Sequence, residues 1–175
     1  MSGLVLRHGP MTFERKSPFE ALVGAIISQQ ISGKAAASIA ARLRTRVTFD
    51  PAALARAHPM TLGAAGLSRA KATYLRELAQ FALAGGLNAL ETEDDDAVVE
   101  RLTSVKGIGR WTAEMFLMFS LGRPDVWPVG DGGVQRAALQ LYRVRSPRRL
   151  AQLGERFRPF RSHAAWYLWR SIDAP

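Results

Sequence analysis

Lys106-Gly107-Ile108-Gly109-Arg110 sets two glycines around one apolar residue and brackets them with two cations. Without Cβ atoms, the backbone N–H groups of such a turn can approach an anion closely, and the flanking charges can reach the same group. The segment lies between two helical patterns, so it is a hairpin, and the helix opening near Arg110 adds the positive end of its dipole. Grip on a phosphate is the chemistry this suits, with Val105 and Ile108 as apolar anchors of the turn. A second glycine-rich break, Pro128-Val129-Gly130-Asp131-Gly132-Gly133, carries a lone carboxylate just before another helix. Asp131 reads two ways: as a helix N-cap, or as a fixed negative charge that stabilises positive charge developing on a bound molecule.

The elements that must position these residues all read as helices, and no segment alternates as a strand. Ser17-Pro18-Phe19-Glu20 is a capping-box start, after which Phe19, Leu22, Val23, Ile26 and Ile27 share one face. Ser32 starts the next helix, whose alanines, Ile39, Leu43 and Val47 permit close packing. Asp50-Pro51 opens a short helix and another runs near Thr61 to Ala65. Ser68 starts a longer one carrying Tyr74, Leu75, Leu78, Phe81 and Ala82, which Gly85-Gly86 ends. Asp94-Asp95-Asp96 begins the helix leading into the hairpin, where charge at a helix N-terminus explains it better than metal binding. Beyond Asp131 a helix spans Val134 to Tyr142, and Ser146-Pro147 and Ser162 mark two final starts, the last burying Ala165, Leu168, Trp169 and Ile172. The expected architecture is all-α: one domain over residues 1–175, folded as two helical lobes with an active-site cleft between them.

Composition narrows the partners. A net charge of +9 in 175 residues favours a polyanion, because neutralising phosphates releases counterions. With no cysteine in the chain there is no disulfide, thiolate-bound zinc or cysteine-ligated iron–sulfur cluster. No apolar run is long enough to span a bilayer and the N-terminus lacks a signal-like apolar stretch, so a soluble, unexported, cytoplasmic protein without a membrane partner is expected. His8, His58 and His163 have no ligand spacing and receive no role.

The stretch Leu102 to Ala113 together with Asp131 resembles the helix-hairpin-helix DNA glycosylases, specifically the 3-methyladenine DNA glycosylase II (AlkA-like) branch, over roughly Ser17 to Ile172. The resemblance implies a DNA-backbone clamp at Lys106, Gly107, Gly109 and Arg110, and a catalytic aspartate at Asp131. It implies that the carbonyls of Thr103, Val105 and Ile108 hold a structural Na+ or K+, with no required cofactor. Ile26-Ile27-Ser28-Gln29-Gln30-Ile31-Ser32 is similar to the turn from which such proteins fill the gap left by an extruded base. Gln30 is the candidate wedge, against helix-end hydrogen bonding by Gln29 and Gln30.

Trp111 stands where the bifunctional branch has a Schiff-base lysine, so the resemblance predicts hydrolysis without strand cleavage. An indole there could instead stack on a cationic base or be ordinary core. Met115, one turn on, replaces an aromatic of some relatives, and Phe160 in Phe157-Arg158-Pro159-Phe160-Arg161-Ser162 is a candidate pocket wall, while Trp166 and Trp169 read as core. One departure is Gly130, where relatives usually carry a second acidic residue. The implied function is base excision repair: removal of alkylated purines (3-methyladenine, 7-methylguanine) from double-stranded DNA by a monomer, in a compact form without an additional N-terminal β domain, associated with the bacterial nucleoid. The alternative is a non-catalytic helix-hairpin-helix DNA-binding module in which Asp131 only caps.

Overall fold

Four X-Pro steps set helix starts. Ser17, Asp50, His58 and Ser146 each precede a proline at the first helical position and each accept a backbone N–H: from Glu20 at 3.4 Å, Ala53 at 2.8 Å, Met60 at 3.2 Å and Arg149 at 3.3 Å. The computed structural model describes residues 1–11 and 17–173, among which eleven α-helices and no strand occur. These are α1 (Ser2–His8), α2 (Pro18–Ser28), α3 (Gly33–Arg44), α4 (Pro51–Arg56), α5 (Pro59–Ala64), α6 (Arg69–Leu83), α7 (Asp95–Thr103), α8 (Arg110–Phe116), α9 (Gly132–Tyr142), α10 (Pro147–Glu155) and α11 (Arg161–Asp173). A π-helical turn, Leu117–Leu121, follows α8.

The chain divides into two compact units, Lys16–Phe116 and Met1–Arg15 with Leu117–Pro175. In the first, α2 is the central element and packs on α3, α6 and α8. Phe19, Leu22, Val23, Ile26 and Ile27 are all buried, as their spacing predicts. Each contributes about 1.5–3 kcal/mol of apolar burial. Helices α4 and α5 cover α6 through Leu54 and Leu62, and α7 packs on α8. Asp94 caps α7 through the Ala97 N–H at 2.8 Å, with Asp95 and Asp96 in the first turn. The acidic run is thus a helix start, and no His/Asp/Glu cluster suited to a metal occurs among the described residues.

In the second unit, α9 packs on α11 and α1 on α11. Val134, Ala137, Ala138, Ala165 and Leu168 form the seam. The Tyr167 hydroxyl donates to the Gly9 carbonyl at 2.8 Å, tying the end of α1 to α11. Sequence reading misses α1, which has no side-chain cap and buries no residue.

Three expectations need correction. The short helix expected near Thr61 to Ala65 runs Pro59–Ala64, because His58 is its cap. The last helix begins at Arg161, and the Ser162 hydroxyl holds a loop instead of capping that helix. Trp169 and Ile172 are only half-buried.

Candidate active site and nucleic-acid interface

Helices α7 and α8 enclose the turn Ser104–Gly109. Val105 and Ile108 are buried and the Ile108 N–H donates to the Val105 carbonyl at 3.0 Å, so the turn is anchored as expected. The two glycines differ. Gly107 has φ +91, and a Cβ there would stand 2.3 Å from the Tyr74 ring, so conformation and packing both demand glycine. At Gly109 a Cβ would meet nothing within 4 Å, and φ is not left-handed. Nothing in the fold requires Gly109 to be bare, and its bareness leaves room for a molecule outside the chain.

The hairpin is tied to the turn after α2. Gln29 Nε2 donates to the Gly107 carbonyl at 2.7 Å, and Lys71 Nζ donates to the carbonyls of Ile27 at 2.7 Å and Gln29 at 2.6 Å. Burial holds Lys71 below the usual lysine range. Helix-end bonding within 29–30 is therefore not what the structure shows, since Gln29 reaches across to the hairpin. Gln30 is exposed with φ +59, a left-handed conformation that a glutamine adopts at a cost of about 1–3 kcal/mol and only where its surroundings impose it. Gln29, Gln30, Lys71, Tyr74, Gly107 and Gly109 line a groove of about 480 Å³.

Lys106 is exposed. Arg110 pairs with the buried Glu114 at 3.0 Å, while its own side chain is 69% exposed, so guanidinium donors remain open to a phosphate. Trp111 is 41% exposed, which removes the ordinary-core reading, and Met115 one turn later is half-buried. Thr103 is the last residue of α7, and Val105 and Ile108 follow it, so their carbonyls belong to the negative end of its dipole. Neutral oxygens at that position suit a monovalent cation, and the Val105 carbonyl keeps a second lone pair beside its bond to Ile108.

In the other unit, the loop leading to Asp131 is held by the Arg161-Ser162 pair of the aromatic-Pro-aromatic segment. Arg161 Nε donates to Asp125 Oδ1 at 2.8 Å, and Nη2 to Oδ2 at 3.0 Å and to the Asp125 carbonyl at 2.8 Å. Burial pushes the Asp125 carboxyl up, but the Arg161 bonds outweigh it and hold it below the usual range. Ser162 Oγ donates to the Arg123 carbonyl at 2.7 Å and accepts the Val126 N–H at 2.9 Å. Phe160, ahead of that pair, is 58% exposed and meets His163 edge-on at 5.6 Å.

Asp131 is buried at the N-terminus of α9. Its Oδ1 accepts the Val134 N–H at 2.7 Å and the Trp169 Nε1–H at 2.7 Å. The aspartate is therefore a cap, and it is also more than a cap, because a tryptophan from α11 fixes the same oxygen. Trp169 stacks on Phe119 at 5.9 Å and leaves no space for a Cβ on Gly133, which would lie 2.6 Å from its ring. Gly130 has no such constraint: a Cβ would meet nothing within 4 Å. Reading Trp169 as core misses its role; the signal was its N–H, which a buried or half-buried indole must satisfy.

Residues 23–159 match the HhH-GPD superfamily of base excision DNA repair proteins. The chain is 35% identical over 170 residues to DNA-3-methyladenine glycosylase 1 of Schizosaccharomyces pombe, covering 91% of this chain and 75% of that protein. The S. pombe 3-methyladenine DNA glycosylase Mag1 in complex with abasic DNA superposes with a TM-score of 0.89 at 32% identity, covering 99% of this chain and 91% of that one. A DNA-3-methyladenine glycosidase from Bacillus halodurans gives a TM-score of 0.87 at 37% identity, over 99% and 84% of the two chains. A glycine hairpin anchored through Val105 and Ile108, an aspartate fixed at a helix start and a family match over most of the sequence agree: this chain belongs to the HhH-GPD superfamily of base excision DNA repair proteins.

Proposed function

We infer that the protein is a monofunctional DNA glycosylase of base excision repair that hydrolyses the N-glycosidic bond of alkylated purines in duplex DNA. The observation that carries this reading is the double hold on Asp131 Oδ1 by the Val134 N–H and the Trp169 indole. A helix cap needs only the first. The second orients the carboxylate. As the bond from C1′ to the base breaks, positive charge develops on the sugar, and a carboxylate fixed near it lowers the barrier. Water then adds its oxygen to C1′, with Asp131 as the group that orients it or accepts its proton, leaving an abasic sugar and the free base. No lysine follows Arg110, so no Schiff base forms and the strand stays intact.

The remaining parts of the proposal follow from chemistry. Lys106, Gly107, Gly109 and Arg110 grip the backbone without reading sequence. Gln30 enters the gap left by the flipped nucleotide. Trp111, Met115 and Phe160 contact the extruded base, and alkylation at N3 or N7 makes that base a cationic leaving group that needs no dedicated general acid. A Na+ or K+ on the carbonyls of Thr103, Val105 and Ile108 would supply positive charge for a phosphate at the hairpin. The protein acts as a monomer on nucleoid DNA; no described helix is long and apolar enough to cross a membrane.

The test is a single-turnover assay on methylated duplex. The expected product is abasic DNA that breaks only on alkali treatment, with 3-methyladenine and 7-methylguanine released faster than uracil or hypoxanthine. Trp111→Ala should cost about 5- to 30-fold more on the cationic bases than on a neutral one, the equivalent of ~1–2 kcal/mol of cation–π attraction. Equal loss on all substrates would assign Trp111 to flipping or folding and remove charge selection from the mechanism.

A further inference from the structure

From Gly132 to Gly154 the chain carries Arg136, Arg143, Arg145, Arg148 and Arg149 and not one acidic residue. That run supplies five charges toward a net of +9 for the whole protein. All five arginines are exposed, and no ion pair among the described residues involves any of them. Elsewhere five arginines pair with carboxylates: Arg44 with Glu20, Arg101 with Glu93, Arg110 with Glu114, and Arg158 and Arg161 with Asp125 and Glu155. Like charges gathered in one stretch without counter-charges repel one another, and a polyanion bound there relieves that repulsion.

The structure places this charge on a concave surface. Gln135, Arg136, Leu139, Arg145 and Ser146 line a groove of about 370 Å³ between α9 and the start of α10, and a second hollow beside Tyr142 carries Arg143, Arg149 and Arg156. Arg136 folds back over the first turn of α9, its Nη1 3.3 Å from where a Cβ on Gly132 would stand. Gly132 directly follows Asp131. The groove therefore begins one residue from the catalytic carboxylate and runs along α9 toward Arg145.

We propose that this arginine face is a second duplex-backbone contact, with the groove between Arg136 and Arg145 taking phosphates that flank the nucleotide presented to Asp131. The proposal rests on the reading that Asp131 meets DNA. A phosphodiester backbone fits better than an acidic protein on two grounds. Every cation of the run is arginine, whose planar fork matches phosphate oxygens bidentately, and not one is lysine. The groove lining also starts at Gly132, next to Asp131, with Arg136 one turn further along α9, as a strand carrying the target sugar requires.

The experiment is equilibrium binding of an undamaged duplex across a salt series by the wild type, by Arg136→Gln/Arg145→Gln, and by Arg136→Lys/Arg145→Lys. Each neutralised phosphate contributes a slope of about −0.9 in log K against log salt, so the glutamine pair should flatten the slope by about two and weaken binding by roughly tenfold or more at low salt. The lysine pair should keep the wild-type slope. A wild-type slope in the glutamine pair overturns the proposal. Weaker binding of polyglutamate with an unchanged duplex slope would also overturn it, in favour of an acidic polypeptide. The base-excision reading fails separately: if the wild type releases no methylated base yet the slope still flattens, the face stands and the glycosylase assignment falls.

Discussion

The two glycine-rich turns, Gly107–Gly109 and Gly130–Gly133, solve different problems with the same residue. In each, one glycine is imposed by the fold. Gly107 has φ +91 and Tyr74 against it, and Gly133 has the Trp169 ring against it. In each, another glycine is imposed by nothing inside the molecule, because a Cβ on Gly109 or Gly130 would meet nothing within 4 Å. The difference lies in what the turn presents. The hairpin offers backbone N–H groups and a bare approach, so its function is carried by main chain and space. The second turn offers one side chain, Asp131, held through Oδ1 by Val134 and Trp169, so its function is carried by orientation. In the proposed function, binding and chemistry are thus assigned to separate turns, and each should be open to damage without the other.

The largest effect should come from Gly107→Ala. A left-handed φ and a Cβ 2.3 Å from the Tyr74 ring together should cost about 3 kcal/mol, which lowers Tm by roughly 6–12 °C in a chain of this length. Thermal unfolding measures it; an unchanged Tm would mean that Tyr74 moves away freely and the turn is not locked. Next is Trp169→Phe, which keeps a ring on Gly133 but removes the 2.7 Å bond to Asp131. Single-turnover base release should fall about tenfold, equivalent to ~1.4 kcal/mol, with duplex affinity unchanged. Loss of affinity with an intact rate would reassign Trp169 to structure alone. The smallest effect on stability belongs to Gly109→Ala, where a poorer cap and a stiffer unfolded chain each change it by about 0.5–1 kcal/mol in opposite directions. Its Tm should stay put while damaged and undamaged duplexes both bind several-fold more weakly, since a backbone clamp reads no base. Weaker binding confined to damaged DNA would move Gly109 from clamp to lesion recognition.

Local rules made most of the helices legible. Ser17-Pro18, Asp50-Pro51 and Ser146-Pro147 announce their starts because cap and proline are adjacent in sequence, and the α2 face is read from its spacing. His58-Pro59 follows the same logic with an imidazole acceptor, a rarer cap and so easily passed over. Helix α1 has neither cap nor buried face and depends on tertiary contact with α11, which no local rule foresees. In the site, the hairpin and Asp131 were visible as motifs, whereas the groups that hold them were not. Lys71 on the α2 carbonyls, Gln29 on Gly107, Ser162 on the 123–126 loop and Trp169 on Asp131 are all long-range bonds from residues whose spacing fits an ordinary helix. Asp131 itself was read as cap or catalyst. The geometry makes the two compatible, because one oxygen serves the helix and the indole together.

The most direct measurement is Asp131→Asn against the wild type, with base release and affinity determined on the same 3-methyladenine duplex. Asparagine is as good a cap and retains an acceptor for Val134 and Trp169, so the fold should hold. Removing the charge should slow base release by about 10²–10³-fold or more, while affinity stays the same or tightens because a group that repels phosphate is gone. Wild-type release by the asparagine variant would contradict the account, since the oriented negative charge of Asp131 would then have no part in the chemistry.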